Sequence, residues 1–428
     1  MEKVTFKDEN NRVYHGWKIL VVGILLVVFG YSCIITITGL FILPVTTDLG
    51  FSVGDFSIYI TIFSVVSIFA LLLLTKAMTK KHIKKVMVIS AALGGISFVG
   101  FYFATQLWHF YVFAVPMGFC FGCLTSAPLS ILVNNWFGSK IKGLVQGILF
   151  STVTTMILIN IMNILVLNVG WRLTYLIIAI CLFVVCIPLI LIFIKWCPQD
   201  LGIERIGETK EDIDASEGEK GYAGVTFKEA IKKPITWLAF ISGALLVVAS
   251  SSILVHSVTF LTTEGYSPAV AGVIYSVMIG SITLGNIITG LIIDRISLKV
   301  ASWVTVIGFL AAFGSGLMLS HAHWLIAVYI AGYSFAAAGV TVVSPLIPKF
   351  MYGEKEIAPF ISYVNVFISV GAAFGATITG MLFDAFGSYA PAWMILSGIV
   401  VVGGIIRGVC TSKKHKFVVE ESEQIEEG

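Results

Sequence analysis

The chain has 428 residues, 57% of them hydrophobic and only 12% charged. Soluble proteins carry about 25% charged residues, so this composition excludes a water-bathed globule and demands lipid over much of the apolar surface. A formal net charge of +3, with no basic tract interleaved with aromatics, sets nucleic acid aside as a partner.

The opening residues are polar and the first apolar run is too long for a signal-peptide core, so no cleavable leader is expected. A helix that crosses a bilayer needs roughly 20 apolar residues. The chain offers twelve such runs. The first six cover 17–45, 54–75, 86–105, 109–133, 143–167 and 172–195. The second six cover 235–262, 268–292, 300–320, 323–347, 358–383 and 390–410. These runs predict an all-α membrane protein with a six-helix half over 1–195 and another over 235–410. The intervening stretch 196–234 is rich in Asp, Glu, Lys and Gly and reads as a cytoplasmic linker. Its end, Thr226 to Pro234, reads as a short amphipathic helix lying on the membrane surface. Residues 411–428, basic at Lys413, Lys414 and Lys416 and then acidic, read as a solvated cytoplasmic tail.

Twelve spans put the chain ends and the even-to-odd loops on one side. All but one of the 27 Lys and Arg residues then fall on that side, four of them at the C-terminal end; the exception is Arg172. Basic residues stay cytoplasmic, so both ends are predicted to be cytoplasmic in a multi-pass protein of the cell membrane.

The halves echo each other. A charged turn, Gly290-Leu-Ile-Ile-Asp294-Arg295-Ile-Ser-Leu-Lys299, separates spans eight and nine. A weaker copy, Lys76 to Lys85, lies 214 residues earlier between spans two and three. Trp108 answers Trp324, and Ser126-Ala-Pro128-Leu answers Ser344-Pro345-Leu, at offsets of 214–217. Such parallel repeats are related by an axis along the membrane normal.

Gly290-x-x-x-Asp294-Arg295 resembles the loop signature of the major facilitator superfamily. More narrowly, the chain resembles the branch of monocarboxylate transporters and oxalate–formate antiporters. The residues that carry this are His15-Gly16-Trp17, Pro44 with Asp48-Leu-Gly-Phe-Ser52, Asn135-Trp136-Phe137 with Lys142-Gly143-Leu-Val-Gln-Gly147, Gly170-Trp171-Arg172, and Phe227 to Pro234 with Trp237. The resemblance implies the major facilitator fold: twelve transmembrane helices in two six-helix halves that rock about a central site. It implies a secondary active transporter for a small organic anion, a monocarboxylate, working by proton symport or anion antiport. Efflux of neutral or amphiphilic compounds is the alternative, and a non-transporting receptor a more distant one. The expected partners are that small molecule, protons and the lipid bilayer, with the chain a monomer.

At the charged turn, Gly290 is expected to let two helices approach closely. Asp294 is expected to accept backbone N–H groups and face a basic residue as a cytoplasmic latch, and Arg295 to meet lipid headgroups or a helix C-terminus. In the first copy Lys76 and Lys80 take the Gly and Asp places, so that turn reads as a basic, lipid-facing cluster. Gly143-x-x-x-Gly147 and Gly371-x-x-x-Gly375 predict tight helix crossings.

No span carries Asp or Glu near its middle, which leaves His256 in span seven as the ionisable candidate. Oxalate carriers would imply basic residues inside spans eight and eleven, and monocarboxylate carriers a Lys in span one and an Asp–Arg pair in span eight. Those positions hold none, and Lys355 lies just before span eleven. Neutral donors are numerous: Tyr31 and Thr38 in span one, Asn160 and Asn163 in span five, Tyr275 and Asn286 in span eight, Tyr333 in span ten, Tyr363 and Asn365 in span eleven. The substrate candidates are therefore Tyr31, Thr38, Asn160, His256, Tyr275, Tyr333, Tyr363 and Asn365. Arg172 reads as a structural anchor.

The seven cysteines lie in or beside apolar runs, and Cys120-x-x-Cys123 reads as helix packing. No Gly-x-x-x-x-Gly-Lys-Ser/Thr run appears, and no nucleophile–base pair or metal cluster can be assembled. Neither an enzyme nor a cofactor or metal is expected.

Overall fold

The computed structural model describes residues 14–74, 80–124, 126–203, 205–206, 224–353 and 356–412. Lys76, Lys355, most of the linker and the acidic tail lie outside them. Apart from short connections, the longest of them about 318–324, the described residues are helical. Lipid offers a bare backbone no hydrogen bonds, and a helix satisfies its N–H and C=O groups internally.

Eleven helices are long and apolar enough to cross a membrane. One of them, Ile141–Phe193, is two spans in sequence, because Gly170 breaks it with φ +84° and ψ 163°. Splitting it there recovers the twelve runs. Span one is His15–Thr36, two Val53–Leu74, three Ile83–Phe103 and four Leu107–Trp136. Span five ends and span six begins at Gly170. Spans seven to nine are Pro234–Thr263, Pro268–Arg295 and Leu298–Leu317. Spans ten to twelve are Leu325–Tyr352, Ile357–Phe386 and Ala390–Ser412. Leu73, Phe103, Leu284 and Trp324 are largely exposed and mark an apolar surface that only lipid can cover.

The chain resolves into two compact units. Unit one is Met1–Val45 with Ile62–Lys220; unit two is Thr46–Thr61 with Gly221–Gly428. Span two is therefore shared, its first residues grouping with unit two and the rest with unit one.

In unit one the sequence motifs act as ties. Tyr14 Oη donates to the Trp136 carbonyl at 3.0 Å and His15 Nε2 to the Phe193 carbonyl at 2.9 Å. Asn135 Nδ2 donates to the Trp196 carbonyl and Trp136 Nε1 to the Lys195 carbonyl. Arg205 of the linker caps the carbonyls of Asn134 and Phe137. Arg172 donates to the last carbonyls of span three, Tyr102 and Ala104, and stacks 4.2 Å from the Trp171 ring. Lys80 pairs with Asp200 at 2.5 Å. That hydrogen bond raises the lysine pKa and lowers the aspartate pKa. The basic turn thus has a protein partner.

Three sequence expectations change. Gly143 and Gly147 have open space where a Cβ would stand, so they make no tight crossing. By contrast, a Cβ at Gly371 would meet the Ala244 carbonyl oxygen at 2.5 Å, and Gly375 lies against Val248 and Ser251, so span eleven packs closely on span seven. Gly290 also faces open space and brings no helices together. The linker's end is a single turn, Phe227–Ala230, docked on protein rather than lying on lipid. Val225 N–H donates to the Tyr352 carbonyl, Phe227 N–H to Glu356, and the Phe227 ring stands 5.0 Å from Phe360.

Candidate functional site

The donors singled out in sequence fall on both units, and each unit arranges them differently. In unit one, span one turns into a π-helix over Val27–Thr36, which carries Tyr31. Such segments free backbone groups and occur at functional sites. Tyr31 is half-buried with its ring 5.5 Å from Phe121 of span four. Next to it, Ser32 and Thr155 share a 2.8 Å hydrogen bond that ties span one to span five. Asn160 is half-buried and donates to its own helix at the Met156 carbonyl. Thr38 is buried and donates to the Ile34 carbonyl, bracing the bend after the π-helix. Tyr31 and Asn160 thus lie on neighbouring helices, while Thr38 is spent on backbone.

In unit two, span seven presents a polar stripe from Ser250 to Ser257. His256 is fully buried, and both ring nitrogens have partners. Nε2 donates to the Ala376 carbonyl of span eleven at 2.7 Å, and Nδ1 accepts from Tyr389 Oη at 3.1 Å. A neutral ring with its proton on Nε2 satisfies both. Ser252 donates to the Gly375 carbonyl and accepts from Thr379. Ser257 shares a 2.8 Å hydrogen bond with Tyr329 of span ten. Tyr333 lies 3.4 Å from the Ser250 hydroxyl and is nearly inaccessible. Tyr275 of span eight is fully buried as well. The stripe on span seven carries His256 and meets Tyr333 of span ten through Ser250, yet encloses both.

Tyr363 and Asn365 are the exposed candidates. Tyr363 sits against Phe227 at 4.9 Å and Phe240 at 6.0 Å, beside the half-exposed Trp237. The result is an aromatic patch with a phenol at its edge.

Sequence reading missed three features. The Ser250-Ser251-Ser252 run signals the stripe; Tyr329 and Tyr389, its partners, carry no local signal. The π-helices at Val27–Thr36, Cys181–Cys186 and Gly339–Val343 carry none either. The third miss is Arg407. Counted among the four basic residues at the C-terminal end, it is in fact fully buried inside span twelve. It donates to the Gly339 carbonyl, at the start of the span-ten π-helix, at 2.9 Å and to Ser344 Oγ. Among the described residues no carboxylate pairs with it.

The charged turn also departs from expectation. Span eight stays helical through Arg295, so Asp294 lies exposed in its last turn, away from any amide donor. Ser297 takes the capping role instead, accepting from Val300 N–H at 3.2 Å. Among the described residues Asp294 has neither a hydrogen-bond nor an ion-pair partner. Arg295 sits at a helix C-terminus, where a cation is favoured. Among the described residues no His, Cys, Asp or Glu cluster could hold a metal.

Residues 20–352 match the sequence profile of the Major Facilitator Superfamily. The chain belongs to the major facilitator superfamily. Its fold agrees with that of solved transporters at 14% identity. The nucleoside transporter NupG superposes with a TM-score of 0.71 over 92% of this chain and 98% of its own. A bacterial homolog of the human lysosomal transporter Spinster, inward-facing and occupied, gives 0.63 over 96% of each chain. Among curated proteins, Monocarboxylate transporter 13 of Rattus norvegicus is 26% identical over 167 residues. That stretch spans 38% of this chain and 38% of the relative, well under half of its length. This superfamily member is a multi-pass membrane protein of a family of small-molecule transporters.

Proposed function

We propose that this carrier moves a small organic anion, a monocarboxylate, by alternating access, opening its substrate site to one side of the membrane at a time. The observation that carries the reading is the 167-residue similarity to Monocarboxylate transporter 13, supported by the branch motifs at both ends of the first half. The candidate side chains fit an anion better than a cation: they are hydroxyls, amides and an imidazole, with no carboxylate among them. Transport runs as proton symport or anion antiport. The protein resides in the cell membrane as a monomer with both ends cytoplasmic. Tyr31, Asn160, Tyr363 and Asn365, which keep exposure, are the first residues assigned to the substrate. His256, Tyr275 and Tyr333 shape the wall behind it, and of the charged turn Arg295, at the C-terminal end of span eight, is the residue kept for cytoplasmic gating.

The test is uptake of radiolabelled short carboxylates into proteoliposomes, with and without a pH gradient. Saturable uptake or exchange is expected; its absence for every acid tried overturns the reading. A second reading, efflux of neutral or amphiphilic compounds, is favoured by the uncharged candidates and the aromatic patch at Tyr363. A broad gain in drug tolerance on overexpression, with no carboxylate flux, would select it.

A further inference from the structure

Asp384, in the last turns of span eleven, holds the first turn of span two. Its carboxylate accepts from Val53 N–H at 3.1 Å and Gly54 N–H at 2.6 Å. Those amides are among the orphan donors at a helix start, where an anion is favoured. The contact extends inward as a zipper. Thr377 Oγ1 donates to the Ser57 carbonyl at 3.0 Å, and Thr61 Oγ1 to the Ala373 carbonyl at 2.5 Å. The Thr61 and Thr377 hydroxyls are 2.7 Å apart. Gly54 and Gly380 allow this approach: a Cβ on Gly380 would meet Gly54 Cα at 2.9 Å. Through these bonds residues 46–61 group with unit two, although the same helix continues into unit one.

The charges around Asp384 come from three elements. Span two brings Asp55, span seven His256, and the start of span twelve Tyr389; the last two are near enough to sense its charge. Among the described residues no Lys or Arg pairs with it. The two amides are thus the groups that balance the carboxylate. We propose that Asp384 is a proton-releasable latch: ionised, it pins the start of span two to span eleven, and on protonation it lets residues 53–61 part from that helix. A neutral carboxyl is a weaker acceptor for the two amides and has no charge to offer the helix N-terminus. With the chain ends cytoplasmic, as proposed above, the latch closes the outer end, and external acid opens it. A proton would then be taken up by the step that admits substrate from outside.

Two measurements test this. In the first, a cysteine placed at Thr61 is labelled with a membrane-impermeant maleimide, against the parent's seven native cysteines as background. Asp384→Asn should speed labelling about tenfold at neutral pH, the effect of weakening hydrogen bonds to a charged acceptor. Acid should narrow the gap between wild type and Asp384→Asn, and the ratio cancels the pH dependence of the reagent. Asp384→Glu should keep the pH response, which separates the latch from a folding defect. His256→Gln should keep it as well. Equal labelling of wild type and Asp384→Asn at all pH values overturns the proposal, as does loss of the response in His256→Gln. In the second, cysteines at both Thr61 and Thr377 should cross-link on oxidation and stop flux reversibly. A cross-linked protein that transports normally overturns the latch. The labelling arm needs no substrate, so its outcome stands apart from that of the monocarboxylate reading.

Discussion

Individual side chains in this protein show how burial changes the meaning of a residue. His256 stands out in sequence as an ionisable group inside a span. In the structure it joins spans seven, eleven and twelve, with both nitrogens engaged. Replacing it with Ala strips partners from the Tyr389 hydroxyl and the Ala376 carbonyl and leaves a void. A stability loss of about 2–4 kcal/mol is expected, read as a lower melting temperature in detergent. Unchanged melting would show that the ring is not a structural tie. Arg407 makes the complementary case. Arg407→Ala should cost about 3 kcal/mol, since the Gly339 carbonyl and Ser344 lose a charged donor and a cavity remains. Arg407→Met keeps the volume and removes a charge that no carboxylate balances, so it should cost less than about 1.5 kcal/mol. The order of the two melting temperatures decides the matter. Neither residue could be placed from local sequence. A histidine in an apolar run looks the same whether it lines a cavity or joins three helices. An arginine five residues from a helix end looks like one more topogenic charge.

Helices are far more legible than side chains. Apolar runs locate every span, with the run 17–45 parted at Ile37 into His15–Thr36 and Thr38–Leu49, because in lipid the length and composition of a run fix the helix. Span five to six is continuous by hydrogen bonding, and only the Gly170 dihedrals mark the turn that the Trp171-Arg172 polarity signals. Small-residue motifs are less reliable, since a glycine pair states what a helix can tolerate and leaves unsaid which neighbour comes near. Gly375→Val should therefore destabilise by about 1–3 kcal/mol or more, whereas Gly143→Ala and Gly147→Ala should be neutral. Thermal unfolding of the three variants tests the asymmetry. The pair between Lys80 and Asp200 belongs at this scale too. Asp200 has a depressed pKa, so its contribution is present above the ordinary carboxylate range and lost as pH falls through the folded value. Lys80 has a raised pKa, so its contribution is present below the ordinary lysine range and lost only in strong alkali. Both are solvent-exposed, so salt should screen the pair. A Lys80→Ala, Asp200→Ala double-mutant cycle should find a small coupling at neutral pH that vanishes in acid or high salt.

At the level of the whole chain, the basic residues predict orientation and the repeats predict two halves. The orientation can be checked directly: single cysteines near His15 and near Ser412 should react with an impermeant label only after the membrane is opened. The repeats also preserve a small irregularity. Trp108 and Trp324 are 216 positions apart, while Pro128 and Pro345 are 217 apart. Between the second pair of landmarks span ten passes through the π-helix Gly339–Val343, whereas the described parts of span four carry none. A π-turn closes its hydrogen bonds one residue later than an α-turn, so it absorbs a single inserted residue without shifting the helix that follows. The one-residue step in the repeat offset thus falls in the stretch of span ten that contains the π-helix. Arg407, bonded to the carbonyl at the start of that π-helix, ties span twelve to the point where the helix changes its hydrogen-bond register.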